Sequence, residues 1–194
     1  MRATYRSVRS QASDPPVASM SEGFEAMLSG GHHNSLGRTV EVVELVLADR
    51  ARLGDLYDCY FSDDELVRLR VSSAMKRVTI AHPDWTMGLM DGLQREVAAI
   101  DQASTQWTLA LLFDLTRSLM SAEQHARAVE IMKHNLADHD DWIVLNNSMK
   151  VLGAWADDDA GLAAWLRPQA ERLAKDPRKS VVANATKLLG RLDG

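Results

Sequence analysis

The sequence has little cysteine, no long apolar run and no excess of positive charge, and each absence excludes a class of protein. Cys59 is the only cysteine in 194 residues, so one chain can form neither a disulfide framework nor a thiolate zinc site. Charged residues interrupt every apolar stretch before the roughly 18 to 20 residues that a membrane helix needs. The formal net charge of -5 argues against a general nucleic-acid coat, although a local basic surface remains possible. We therefore expect a protein of the reducing cytoplasm that does not enter a membrane.

Recognisable catalytic motifs are also missing. The sequence has no Ser-His-Asp grouping, no glycine-rich phosphate loop and no close pair of carboxylates in an identifiable cleft. Three histidines lie near acidic residues, but their spacing differs from that of a His-Glu-x-x-His zinc helix. We therefore predict no catalytic residue, no bound metal and no cofactor, and we expect exposed side chains for His125, His134 and His139.

Residues 1–19 differ in composition from the rest of the chain. They are rich in Ser, Arg and Ala, contain Pro15-Pro16 and show no apolar periodicity, so they offer little surface to bury. We predict a disordered tail over residues 1–19 and a single domain over residues 20–194. The arginines of this tail also fit a transit peptide, and Met20 equally fits an alternative start.

From residue 20 onward the apolar residues follow helical spacing, and no segment alternates like a strand. A first short helix is expected around Phe24, and an apolar stripe through Val40, Val43, Val46 and Leu47 predicts the next. Ser62-Asp63-Asp64 forms an expected N-cap, and Pro83 an expected helix start. The further predicted helices span residues 53–60, 65–81, 83–100, 106–119, 122–136, 142–156, 158–174 and 181–192.

The last three stretches of the chain repeat one another at a spacing of 37 residues. The matching positions are Trp107, Leu111 and Leu115; Val144, Ser148 and Leu152; and Val181, Ala185 and Leu189. Gly153 and Gly190 match at the same spacing. A fixed period of this size predicts a solenoid, in which each helical pair buries its apolar face against the next pair.

Two segments also resemble units of the HEAT-repeat family. In DDELVRLRVSSAMKRVTIAHP at residues 63–83, the Val67-Arg68, Val71-Ser72 and Met75 positions follow the family pattern, and DPRKSVVANATKLLGRL at 176–192 is similar without the arginine. The resemblance covers roughly residues 36–194. It implies an all-α fold, an alpha-alpha superhelix of about four HEAT-like helical hairpins with a C-terminal capping helix.

The first of these units fits the period less well than the others. With Val67, Val71 and Met75 as its buried positions, the step to the next unit is 40 residues. A strict step of 37 would bring Arg70 into the interior, where an unpaired charge costs several kcal/mol. We therefore predict a longer step here and an Arg70 that points outward.

The second helix of each pair is expected to line the concave side of such a superhelix. Charged residues on these helices recur at spacings of 4, 7 and 11, so they share one face, and two of them recur 37 residues later. The predicted partner-binding surface, called the polar row below, consists of Asp91, Arg95, Glu123, Arg127, Glu130, His134, Arg167, Glu171 and Lys175. The alternative is a solvated helix face held by ion pairs four residues apart.

Most members of the family are protein-binding scaffolds, and a minority are DNA alkylation-repair glycosylases or chromophore lyases. We therefore expect a non-enzymatic adaptor that binds a protein or peptide, and we predict no oligomeric state. Nucleic-acid binding or base repair is the alternative, since seven basic residues lie near the C-terminus: Arg167, Arg172, Lys175, Arg178, Lys179, Lys187 and Arg191. A structural subunit of a larger complex is a third possibility.

Trp107 and Trp155 fall on repeat positions and are expected in the core rather than stacked on nucleic-acid bases.

Overall fold

The computed structural model describes residues 22–194, so the tail predicted at residues 1–19 lies outside the described residues. Within this range the regular structure is helical, without a strand, which confirms the predicted all-α class. None of the helices in residues 22–194 combines the length and the apolarity that a bilayer crossing requires.

Eleven α-helices run through residues 22–194, joined by short connections or single turns of 3-10 helix. They are α1 (Phe24–Leu28), α2 (Thr39–Ala48), α3 (Leu53–Asp58), α4 (Glu65–Ala81), α5 (Pro83–Met87), α6 (Met90–Arg95), α7 (Ala103–Thr116), α8 (Ala122–Asp138), α9 (Trp142–Trp155), α10 (Ala160–Leu173) and α11 (Lys179–Leu192).

Local capping sets the starts of the longer helices, because the first backbone N–H groups of a helix need acceptors outside it. Asp64 accepts from the N–H of Leu66 at 2.8 Å, and α4 begins where the sequence predicts it. Ser121 and Gln124 form a reciprocal capping box at α8. Asp141 and Asp159 cap α9 and α10 through their carboxylates.

The helix predicted over residues 83–100 is broken into α5, α6 and a 3-10 turn. The N–H groups of Gly88 and Leu89 donate to carbonyls three residues earlier, at 3.3 and 3.0 Å, which tightens the chain and ends α5. Leu93 and Val97 are nevertheless buried, as expected.

The buried face of α2 also differs from the predicted stripe. Val43 and Val46 are buried, but Val40 and Leu47 are exposed, and Val42 is buried instead. The reason is that the face of α2 that packs against α4 and α1 contains Val42, Val43 and Val46.

The helices pack in two layers. In one layer α2 contacts α4, α4 contacts α7, α7 contacts α9 and α9 contacts α11. In the other layer, α6 contacts α8. Between the layers, α8 packs on α9, and α10 packs on α9 and α11. The contact between α8 and α10 themselves is weak. Each long helix of the first layer therefore packs mainly against its neighbours in chain order.

Buried positions recur along the first layer with steps of 37, 36 and 37 residues. The matching sets are Val71, Thr108, Val144 and Val181; Met75, Leu112, Ser148 and Ala185; and Thr79, Thr116, Leu152 and Leu189, of which only Leu189 is half-buried. The hydroxyls of Thr79 and Thr116 both donate to the carbonyl four residues earlier, at 2.8 and 2.7 Å. The 40-residue step predicted for α4 is therefore wrong.

The register predicted for α7 is wrong by one residue. Leu115 is 38% exposed, whereas Leu152 is fully buried, so the positions 37 residues apart do not share one interior environment. Trp107, expected in the core, is half-buried, whereas Trp155 is buried as expected. One residue corresponds to a rotation of about 100° around a helix with 3.6 residues per turn, which moves Leu115 off the buried face.

Arg70 in α4 lies in the interior, contrary to the prediction, with 2% of its surface exposed. Its guanidinium donates to the carbonyls of Leu28 and Gly30 at 2.6 Å and of Ser35 at 3.1 Å, with longer bonds to two others in residues 28–35. A Cβ on Gly37, whose φ is positive, would lie 2.9 Å from the Arg70 Cζ. The loop at residues 28–35 therefore surrounds the guanidinium and accepts its hydrogen bonds without a carboxylate.

Candidate partner-binding surfaces

The polar row lies on α6, α8 and α10 and on the segment that follows α10, and part of it forms one connected network. Arg127 forms ion pairs with Asp91 at 2.7 Å and Glu123 at 2.6 Å, and it donates to Gln94 at 3.0 Å. The structure therefore joins the predicted residues Asp91, Glu123 and Arg127 across α6 and α8.

The rest of the row is paired locally or exposed. Glu130 pairs with Lys133, and His134 with Asp138, each at 2.9 Å. Arg167 turns to the C-terminal end of α11, where it pairs with Asp193 at 2.8 Å and donates to the Leu192 carbonyl at 2.9 Å. The remaining predicted residues are exposed and make no ion pair within residues 22–194: Arg95, Glu171 and Lys175.

The arginines near the C-terminus are bonded within the chain, three of them to carboxylates. Arg178 pairs with Asp176 at 2.7 Å and lowers the pKa of that carboxyl to about 2, mainly through their side-chain hydrogen bond. Arg191 donates from Nε to Asp157 at 2.6 Å, which likewise lowers the pKa of that carboxyl. Arg172 donates to the Leu136 carbonyl at 2.8 Å. Together with Arg167, four of the seven basic residues thus form hydrogen bonds or ion pairs within the chain.

A groove of about 400 Å³ lies on the other layer, between α7, α9 and α11. We call it the α9/α11 groove. It is lined by Asp114, Met149, Lys150, Gly153, Ala154, Asn184, Lys187, Leu188 and Arg191. Small residues let the helices approach closely, since a Cβ on Gly153 would lie 2.6 Å from Leu188 Cδ1. The groove therefore combines an apolar floor with a largely basic rim.

Two lysines on this rim carry charge that the chain does not neutralise. Lys150 and Lys187 are exposed, and neither makes an ion pair within residues 22–194. Asp114 also lines the groove and accepts from the indole N–H of Trp155 at 3.1 Å, which leaves its negative charge in place beside the two lysines. The sequence interpretation missed this groove, although Lys150 and Lys187 are 37 residues apart and so gave a signal.

The three histidines take separate places. His125 stacks on Trp155 with ring centroids 4.5 Å apart, and burial together with Arg117 lowers its pKa. His134 pairs with Asp138, and His139 Nδ1 accepts from the Asp141 N–H at 2.9 Å. His125 and His139 are half-buried rather than exposed. Within residues 22–194 no three His, Cys, Asp or Glu side chains converge as a metal site would require.

Comparison with known proteins adds no relative. No protein-family description, curated protein or solved structure matches this chain.

Proposed function

We propose that this chain is a non-enzymatic adaptor built as a HEAT-like solenoid, and that it binds a protein or peptide on one face of the stack. The support for the solenoid is the packing of α4, α7, α9 and α11 in chain order, together with the buried positions that recur at 37, 36 and 37 residues. The resemblance of residues 63–83 and 176–192 to HEAT units agrees with this arrangement.

The concave side of the stack is the layer that contains α7, α9 and α11. When a two-layer stack bends, helices on the inside are brought together and those on the outside are separated. Here α9 packs directly on α11, whereas α8 and α10 contact each other weakly. The proposed inner face is thus opposite to the one that carries the polar row.

The α9/α11 groove is the proposed docking site. An apolar floor beside the cations Lys150 and Lys187 suits an apolar segment with acidic side chains, because opposite charge speeds association and disfavours basic competitors. The observation that carries this proposal is the pair of unneutralised lysines on the rim of an apolar groove in a chain of net charge -5.

The polar row is the second candidate surface. Its charges favour the solvated-face interpretation, since most of them pair within the chain, and exposed pairs of this kind contribute only about 0 to 1 kcal/mol each.

Nucleic-acid binding is the second candidate function. Its support is reduced to Arg172, Lys175, Lys179 and Lys187, which make no ion pair within residues 22–194.

Quantitative affinity capture from native lysate would test these surfaces. The groove variant carries Lys150→Gln and Lys187→Gln, and its matched control carries Lys175→Gln and Lys179→Gln, which removes the same charge on the same part of the chain. We expect the groove variant to lose the proteins that the wild type and the control retain. A third variant changes Arg127, Glu130, Arg167 and Glu171 together.

Selective loss in the third variant would move the site to the polar row. Retention of every captured protein by the groove variant would contradict the proposed docking site. Mobility assays with DNA at low and higher salt complete the test, because binding that falls steeply with salt would favour the nucleic-acid alternative.

A further inference from the structure

A second groove, of about 260 Å³, lies between the loop at residues 33–36, α4 and α7. We call it the Arg70 groove. Its polar lining residues are His33, Asn34, Ser35, Arg70, Ser73, Lys76 and Thr108, and its apolar or largely apolar ones are Leu36, Leu69, Trp107 and Leu111. Polar and apolar walls therefore meet in one small space.

The charge of this groove is positive and uncompensated. Arg70 and Lys76 line it, and none of its lining residues is an acid. No carboxylate lies within 4.0 Å of the Arg70 guanidinium in the part of the chain described here, and its partners are all neutral carbonyls. The acid in contact with a lining residue is Glu65, 3.8 Å from His33, and both side chains are mostly exposed.

Carbonyl dipoles satisfy the donors of Arg70 without cancelling its charge. The guanidinium has five N–H donors, and Nε and Nη1 make the short bonds to the loop carbonyls. Nη2 makes only a long bond, 3.3 Å, to the carbonyl of His32. Because the group is 2% exposed, water screens its field weakly, and an anion placed in the adjacent groove would be attracted more strongly than at an open surface.

The apolar wall adds a second requirement on the ligand. Trp107 is half-buried and faces the groove instead of the core, beside Leu111. The volume is slightly below the roughly 300 to 1,000 Å³ of typical ligand cavities, which restricts the ligand to a small molecule. We propose that the Arg70 groove binds a small organic phosphate whose apolar or aromatic part packs against Trp107.

Phenyl phosphate, inorganic phosphate and phenol separate the two requirements. Each is titrated into the full chain by calorimetry and by NMR of the Trp107 indole N–H, assigned with Trp107→Phe. We expect phenyl phosphate to bind about tenfold or more tightly than either fragment, because a hydrogen bond to a charged group and the aromatic contact act together. Phenol that binds as tightly as phenyl phosphate, or no saturable binding at all, would overturn the proposal.

Two neighbouring cations on α4 supply matched variants that leave Arg70 intact. Lys76 lines the groove and is half-buried, whereas Arg77 is exposed and outside the lining. Lys76→Gln should weaken phenyl phosphate binding by about tenfold, and Arg77→Gln by less than about twofold, since only the first removes a local cation. Equal loss in both variants would indicate general charge screening and would contradict the site. Unchanged melting curves confirm that each variant is folded.

Discussion

The N-terminal region (residues 22–81) and the C-terminal region (residues 103–192) contribute to the same helical layer by different means. In the C-terminal region, helices of 14 residues, α7, α9 and α11, bury equivalent positions, and each contact resembles the next. In the N-terminal region, the end of α1 and the loop that follows it supply the carbonyls that hold a single buried arginine of α4, Arg70. Repetition distributes stability over many similar contacts, whereas the arginine network concentrates it in one residue.

Arg70→Met should therefore be the most damaging single change. It leaves the carbonyls of Leu28, Gly30 and Ser35 without their donor, and each buried or partly buried carbonyl left unsatisfied costs about 1 to 3 kcal/mol. Urea unfolding followed by circular dichroism measures the loss. Arg77→Met, on the exposed side of α4, should stay within about 0.5 kcal/mol of wild type. A loss below about 1 kcal/mol for Arg70→Met would remove the contrast between the regions.

Leu152→Ala tests the repetitive region in the same way. This side chain is fully buried, so its truncation should cost about 2 to 5 kcal/mol through lost transfer energy and the cavity left behind. Leu115→Ala is the control, because Leu115 lies 37 residues earlier but is 38% exposed, and we expect a loss below about 1 kcal/mol. Equal losses in thermal melts would support the register predicted from the sequence instead of the buried positions described above.

Periodic features of the fold were predictable from the sequence, and features that depend on distant contacts were not. The predicted bounds of α4 match, because its cap at Asp64 is local. The one-residue shift at Leu115 was not predictable, since the face that α7 buries depends on its packing against α4 and α9 and not on residue spacing alone. The interior position of Arg70 was also missed, because its partners lie about 35 to 42 residues earlier in a loop without apolar periodicity.

For the candidate surfaces, sequence spacing found the charges but not their partners. Glu123 and Arg127 were expected on one face, and they are paired. The ion pair between Arg167 and Asp193 joins two helical segments, and helical spacing alone carries no information about it. The same limit explains why Lys150 and Lys187 were not recognised as a pair, since their significance depends on the groove between α9 and α11.

The two glycines of the repeat, Gly153 and Gly190, should respond differently to alanine. Gly190 has open space around it, so Gly190→Ala should stabilise α11 by about 0.5 to 1 kcal/mol through helix propensity. In Gly153→Ala the new methyl group would displace buried Leu188, which offsets that gain. In denaturant unfolding, we expect the Gly190→Ala variant to be more stable than the Gly153→Ala variant by at least about 1 kcal/mol. The reverse order would contradict the close contact between α9 and α11.

The smallest expected effect is the pH dependence of the pair between Asp176 and Arg178. Because Arg178 lowers the pKa of Asp176 from 3.8 to about 2, the pair stabilises the fold above about pH 4, and this contribution is lost as the pH falls towards 2. Asp176→Asn should melt below wild type at pH 7 and together with it near pH 2. Asp101→Asn is the control, since Asp101 makes no ion pair within residues 22–194. A difference that persists at pH 2 would exclude this ion pair as its cause.

The proposed solenoid bends with α9 and α11 on the inside and with α8 and α10 on the outside. Two pairs of exposed positions, each 37 residues apart, report on the two layers: Lys150 with Lys187, and His134 with Glu171. With Cys59 replaced by Ser, spin labels on each pair give two distances by pulsed electron paramagnetic resonance. This bend predicts the shorter distance for the pair at 150 and 187, since directly packed helices lie about 8 to 10 Å apart. Equal distances, or a shorter one between 134 and 171, would contradict it.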